Sequence, residues 1–228
     1  MNVIPQIVKD GFVRLVGPLA RAFIRAGIHP NVITTFGTLI VVSAGVAFGA
    51  GAIRLGGGLV LLSGVFDILD GQVARQGGMM TMFGAFYDST LDRVGESAVF
   101  AGLALYFMQG GVPALQAPLA VGIAMTALVT SLLVSYTRAR AEGLGIECTV
   151  GIAARAERIL LLGVPALLFG PGRHGALLFW IVAILALATA VTVVQRVVHV
   201  ARVAGDAPRP AVKRDTLPGT PATRRKGH

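Results

Sequence analysis

The sequence predicts an all-α integral membrane protein: six transmembrane helices preceded by an N-terminal amphipathic helix lying in the membrane interface. Three observations carry that prediction. The 228 residues are 54% hydrophobic with a mean hydropathy of +0.75, and only 14% are charged, whereas a soluble domain carries about 25% charged residues. Six runs read as spans, at 31–53, 55–75, 84–108, 114–137, 152–170 and 176–200, against a hydrocarbon core that takes roughly 20 residues to cross. The basic residues are also shared very unevenly among the segments between those runs.

The first thirty residues are punctuated by Lys9, Asp10, Arg14, Arg21 and Arg25, with no small-residue cleavage site after an apolar core, so a secretory signal is not expected. Ile4, Ile7, Val8, Phe12, Leu15 and Leu19 recur at near-helical spacing with basic residues between them. That pattern fits a helix lying in the membrane surface. A soluble helix packed on the rest of the protein is the alternative.

The run 31–53 contains no charge, and 55–75 is apolar until Asp67 and Asp70 in its last turns. The third run carries Asp88, Asp92, Arg93 and Glu96 in its first half and is broken by "GGVP" at 110–113. The fourth is again uncharged. The fifth is shorter and opens on Arg155, Glu157 and Arg158, and "GPGRHG" at 170–175 turns the chain into the sixth. Residues 1–203 are expected to form one membrane domain, with 1–28 as its interfacial helix and lead-in. The tail 204–228, rich in Pro, Lys and Arg, is expected to be disordered and held near anionic headgroups.

Six spans put both termini on one side. The segments on the opposite side hold only Arg54 and Arg173 of the 20 basic residues, which places the termini in the cytoplasm and the protein in the cytoplasmic membrane. The single cysteine, Cys148, excludes an intrachain disulfide and a cysteine metal cage. Many of the 30 glycines fall inside the spans, where small residues let helices approach closely. No segment besides the tail suggests a nucleic-acid partner, and the tail alone does not carry one.

The acids are the unusual feature. Spacings of three and four residues put Asp67 with Asp70, and Asp88 with Asp92, on one face each of consecutive helices. The short connection between those helices makes an antiparallel hairpin, so the four carboxylates converge just inside the cytoplasmic boundary. Carboxylates at close quarters in a poorly solvated place repel one another, and divalent cations relieve that repulsion. All-oxygen donors with no His or Cys select Mg²⁺ or Mn²⁺. Salt bridges to Arg75 and Arg93 would not suffice, since four aspartates and Glu96 face two arginines. Hard cations at this boundary suit phosphate chemistry. Gly71 and Gly84 would let a ligand lie against the backbone, and Arg75 would reach phosphate oxygens.

Asp67-x2-Asp70-Gly71-x2-Ala74-Arg75-x8-Gly84-x3-Asp88-x3-Asp92 resembles the signature of the CDP-alcohol phosphotransferase family at all eight fixed positions and every gap. The likeness covers most of the chain, because that family also has six helices and a surface-lying N-terminal helix. "HPNVIT" at 29–34 resembles the segment that opens the family's first span and helps hold the cytidine nucleotide, through Pro30, Asn31 and Thr34. The resemblance implies a CDP-linked lipid such as CDP-diacylglycerol as donor, a small alcohol as attacking group, and CMP as leaving group. It implies two metal ions held by Asp67, Asp70 and Asp88. Asp92 becomes the general base, which also touches a metal. Gly71, Ala74, Arg75 and Gly84 line the nucleotide site. A homodimer is also implied.

Basic residues on the cytoplasmic half point to an anionic acceptor. Arg138 follows "SYT" on the fourth run, Arg155 opens the fifth, and Arg196 lies in an uncharged stretch late in the sixth. These positions, and "DRVGESAVF" at 92–100, resemble the branch of the family that takes inositol phosphate. The chain departs from that branch at Arg138, where Lys is usual, and at Ala156, where Pro is. Glycerol 3-phosphate is the alternative acceptor. A membrane prenyltransferase would place its second acidic motif on a distant helix. A cation transporter would spread acids at mid-membrane over several helices, rather than gather them at one edge.

Overall fold

The computed structural model describes residues 6–205, with side chains from residue 16 onward. The described residues form seven α-helices: α1 (Gln6–Arg25), α2 (Pro30–Gly49), α3 (Ile53–Gln76), α4 (Met82–Tyr106), α5 (Ala117–Glu142), α6 (Arg155–Phe169) and α7 (Ala176–Ala204). A π-helical turn at Phe107–Gly111 and a 3-10 turn at Arg173–Gly175 complete them, and no strand occurs among the described residues. The predicted spans correspond to α2–α7 in order. The tail expected from 204 lies almost wholly outside the described residues, as do Ile4 and the side chains of Ile7, Val8, Phe12 and Leu15.

Local chemistry sets the boundaries nearest the acids. At the start of α2, His29 Nδ1 accepts the Asn31 amide at 3.2 Å, while Pro30 occupies the first turn, where its missing N–H costs nothing. At the start of α4, Thr81 Oγ1 accepts the Gly84 amide at 2.9 Å. Between α3 and α4, Gly78 adopts φ +65°, which lets the chain reverse within 77–81.

Three helices are long and apolar enough to cross a membrane: Pro30–Gly49, Ala117–Glu142 and the Arg173–Ala204 stretch ending in α7. The others miss for visible reasons. The acids interrupt α3 and α4. The 15 residues of α6 span only about 22 Å at about 1.5 Å each, short of a hydrocarbon core of about 30 Å.

The expected hairpin is corrected. Although α3 and α4 are joined by a short turn, they do not pack along one another among the described residues; each packs on α2, and α3 also packs on α6. The acids therefore line a cleft that α2 holds open from behind. Backbone contact fixes α2 against α4: a Cβ at Gly45 would run into the Ala98 carbonyl, and one at Gly102 into the Gly45 carbonyl.

The main core lies at the end of the bundle away from the acids and is built from Phe48, Phe100, Leu103, Phe107, Leu178, Val182 and Leu185. A smaller cluster sets Val16 and Ala20 of α1 against Leu69 and Val73 of α3. The second half of α1 thus packs on the helix that carries Asp70. Leu19, expected on the apolar face, is exposed, while Val16 and Ala20 form the stripe buried against α3.

Candidate metal and active site

Helical spacing on α3 turns Asp67 and Asp70 into the cleft, and α4 turns Asp88 and Asp92 into it from the other wall. All four line a single cavity of about 270 Å³, with Thr34, Thr38 and Ser63 behind them. One carboxylate oxygen from each of Asp67, Asp70 and Asp88 lies within 4.8 Å of the others. Asp92 stands outside that triplet, one helical turn further along α4.

Asp70 is buried at 7% exposure and accepts a hydrogen bond from Thr34 Oγ1 at 2.7 Å. The hydroxyl fixes one oxygen, Oδ2, and leaves the other for a ligand. Asp88 Oδ1 is buried without a hydrogen-bond partner. A buried carboxylate oxygen without a proton donor is costly, and a cation supplies what it lacks. An all-oxygen triplet with one oriented member and one unpartnered oxygen fits Mg²⁺ or Mn²⁺.

Arg155, at the first turn of α6, reaches across the cleft. Its Nη1 lies 3.0 Å from Asp67 Oδ1 and also pairs with Asp92 Oδ2. Arg93 lies 3.6 Å from Asp92 Oδ2 and 3.1 Å from Glu96 Oε2, and it also contacts Ser135. Glu96 Oε1 in turn holds Arg158 Nη2 at 2.7 Å. Asp92, Arg155, Glu96 and Arg158 line a second cavity of about 480 Å³ that adjoins the first.

The residues expected to hold the nucleotide fall into two groups. Asn31 and Gly84 are neighbours, since a Cβ on Gly84 would sit 3.4 Å from Asn31 Oδ1. Pro30, next to Asn31, is buried. Arg75 is exposed and lies over Gly71, whose added Cβ would meet its Nη1 at 3.1 Å. Ala74 is half-buried one turn after Asp70. Thr34, expected among the nucleotide contacts, donates its hydroxyl proton to Asp70.

The three arginines expected at the acceptor make different contacts. Arg155 lies in the cavity. Arg138 is exposed and pairs with Glu142 at 2.8 Å. Arg196 is 6% exposed and donates to the backbone carbonyls of Val150, at 3.0 Å, and Val134. It ties the 143–154 connection to α5 and α7. Sequence reading missed the Arg155 bridge to Asp67 and Asp92 and the Glu96–Arg158 pair. The available signal was register: Glu96 is one turn beyond Asp92, and Arg158 one turn beyond Arg155, each on the same helical face.

Residues 27–194 match the family model for CDP-alcohol phosphatidyltransferase. Among curated relatives, the phosphatidylinositol phosphate synthase of Cutibacterium acnes is 42% identical over 202 residues, covering 85% of this chain and 96% of that protein. The archaetidylinositol phosphate synthase of Methanothermobacter thermautotrophicus is 38% identical, covering 80% of this chain and 91% of that one. Among solved structures, the phosphatidylinositol phosphate synthase of Mycobacterium tuberculosis with CDP-DAG bound superposes with a TM-score of 0.75 at 34% identity, covering 87% of this chain and all (100%) of that one. The same enzyme in complex with manganese and citrate gives 0.70 at 34% identity, over 80% of this chain and 87% of that one.

Proposed function

The chain belongs to the CDP-alcohol phosphatidyltransferase family, and on that premise we propose that it transfers the phosphatidyl group of CDP-diacylglycerol to a hydroxyl of inositol 1-phosphate, releasing CMP. The observation that carries this reading is the convergence of the Asp67, Asp70 and Asp88 oxygens within 4.8 Å in a cavity that also holds Asp92 and Arg155. The names of the relatives support the acceptor.

Asp67, Asp70 and Asp88 hold Mg²⁺ or Mn²⁺, with Asp92 at the edge of the set. When bound, the ions neutralise the diphosphate and the charge that develops on the leaving CMP. Asn31, Gly84, Gly71, Ala74 and Arg75, on Pro30, form the wall for the cytidine nucleotide. Asp92 takes the proton of the acceptor hydroxyl as its oxygen bonds to the lipid-side phosphorus and the diphosphate P–O bond breaks toward CMP. Asp92 Oδ2 is paired with Arg155 in the structure, which makes it a poor base as it stands. The acceptor phosphate attracts Arg155 away and so frees the oxygen that needs the proton. Arg138 from α5, and Arg196 through its hold on the 143–154 connection, complete the basic side of the acceptor site.

α3, α4 and the short α6, which a locally thinned bilayer accommodates, complete a set of six spans with α2, α5 and α7, and α1 lies along the membrane interface. The termini and the mouth of the acidic cleft face the cytoplasm, a reading that the distribution of Lys and Arg supports. The domain runs over 1–203, followed by a basic tail near anionic lipid, and the protein works as a homodimer.

The test is CMP release from CDP-diacylglycerol in detergent with Mg²⁺ or Mn²⁺, in the presence of inositol 1-phosphate, glycerol 3-phosphate, serine or free inositol. Inositol 1-phosphate is expected to support turnover far above the others. A preference for glycerol 3-phosphate would overturn the acceptor assignment. No CMP with any acceptor would leave cation binding or transport as the better reading.

A further inference from the structure

α4 and α6 face each other across the larger cavity without packing together among the described residues: α4 leans on α2 and α5, and α6 leans on α3. What spans the gap is a ladder of two ionic rungs. The outer rung joins Arg155 to Asp92, and the inner rung joins Arg158 to Glu96 at 2.7 Å. The rungs are in register because each helix contributes residues about one turn apart.

The two rungs differ in surroundings. The Arg155 and Asp92 side chains are 30% and 15% exposed, and Arg155 divides itself between Asp92 and Asp67. The inner pair is 7% and 13% exposed. Arg158 Nη1 donates to the Ala153 carbonyl at 2.9 Å, which holds it to the backbone just before α6. Glu96 spends its other oxygen on Arg93 at 3.1 Å. Every strong donor and acceptor of the inner rung is anchored, except Arg158 Nε, which is buried without a partner. The outer rung is free to exchange partners.

We infer that Glu96 and Arg158 are positioning residues: their buried pair fixes the spacing of α4 and α6 across the cavity and thereby sets Arg155 beside Asp92, at the distance from which it takes an anionic acceptor. This rests on the proposed acceptor chemistry. A buried ion pair is weak evidence for stability, because apolar residues of similar volume often replace one without loss. Its contribution here is geometric. With the inner rung gone, α6 still packs on α3, but only the outer rung is left to tie its first turn to α4, and Arg155 shifts with that turn.

The test uses the full-length protein in detergent, with KM for inositol 1-phosphate, KM for CDP-diacylglycerol, and Mn²⁺ affinity measured separately. For Glu96→Gln, the acceptor KM is expected to rise about 10- to 100-fold, the range seen when residues that orient a functional group are removed. The donor KM and Mn²⁺ affinity should stay within about threefold. Arg158→Lys should fall between the wild type and Arg158→Met. The double variant Glu96→Leu/Arg158→Met should fold, with an acceptor KM no worse than that of the worse single variant. An acceptor KM unchanged in Glu96→Gln, additive single effects, or loss of folding in the double variant each overturn the inference. A wild-type protein that releases no CMP with inositol 1-phosphate would instead refute the proposed function.

Discussion

Thr34→Val removes one hydroxyl and nearly preserves side-chain volume, so it isolates a single hydrogen bond. Thr34 Oγ1 lies 2.7 Å from Asp70 Oδ2 and 3.2 Å from the Pro30 carbonyl. The hydroxyl has one proton, and the carboxylate is both nearer and the stronger acceptor. A hydrogen bond to a charged group contributes roughly 1.5–3 kcal/mol. At about 1.4 kcal/mol per factor of ten, its loss corresponds to roughly 10- to 150-fold. Asp70 is buried, so water does not readily replace the lost donor. Most of that factor should therefore appear as weaker metal binding, as is usual when a partner of a metal ligand is removed. The assay is titration of the purified protein with Mn²⁺, reading free Mn²⁺ by electron paramagnetic resonance. Thr34→Ser restores the hydroxyl and should return within about threefold of wild type. A Thr34→Val affinity within about threefold of wild type would refute the assignment of Thr34 as the group that orients Asp70.

Asp92→Asn should lower kcat by at least about 100-fold, the usual contribution of a general base, while CDP-diacylglycerol binding stays within about threefold; a kcat within tenfold of wild type would remove Asp92 from that role. Arg196→Ala should raise the KM for inositol 1-phosphate about tenfold or more, because Arg196 holds the 143–154 connection through the Val150 carbonyl; an unchanged KM would detach it from the acceptor site. Gly45→Val puts a branched side chain against the Ala98 carbonyl and should cost about 3 kcal/mol or more. That cost would appear as a lower midpoint of thermal unfolding in detergent; an unchanged midpoint would show that α2 and α4 do not meet as described.

Much of this was legible in residue spacing. The acid quartet announced itself because four carboxylates in apolar helices have few structural uses, and helical period alone put each pair on a common face. The spans α2, α5 and α7 could be read because their apolar stretches are long and almost free of charge. The relation between α3 and α4 could not. A short turn suggests a packed hairpin, but the two helices share α2 as their common neighbour, and close contacts such as Gly45 with Gly102 leave no local trace that distinguishes them from other glycines. The arginines were ambiguous for a related reason. Positive charge in the segments between spans accounts for any one of them, and only three-dimensional placement separates Arg155, beside the aspartates, from Arg138, paired with Glu142. Glu96 and Arg158 were each visible as charges in apolar helices, yet their pairing joins segments more than sixty residues apart, beyond the reach of periodicity.

Divalent-cation binding by the acidic cleft is the claim on which the rest depends, and it can be measured without turnover. Mn²⁺ binding should be counted and titrated for the wild type and for Asp88→Asn, which replaces the carboxylate whose Oδ1 is buried without a partner. Two Mn²⁺ per wild-type chain are expected, with affinity falling by at least about 100-fold in Asp88→Asn as a direct ligand is lost. Equal stoichiometry and affinity in the two proteins would contradict the account.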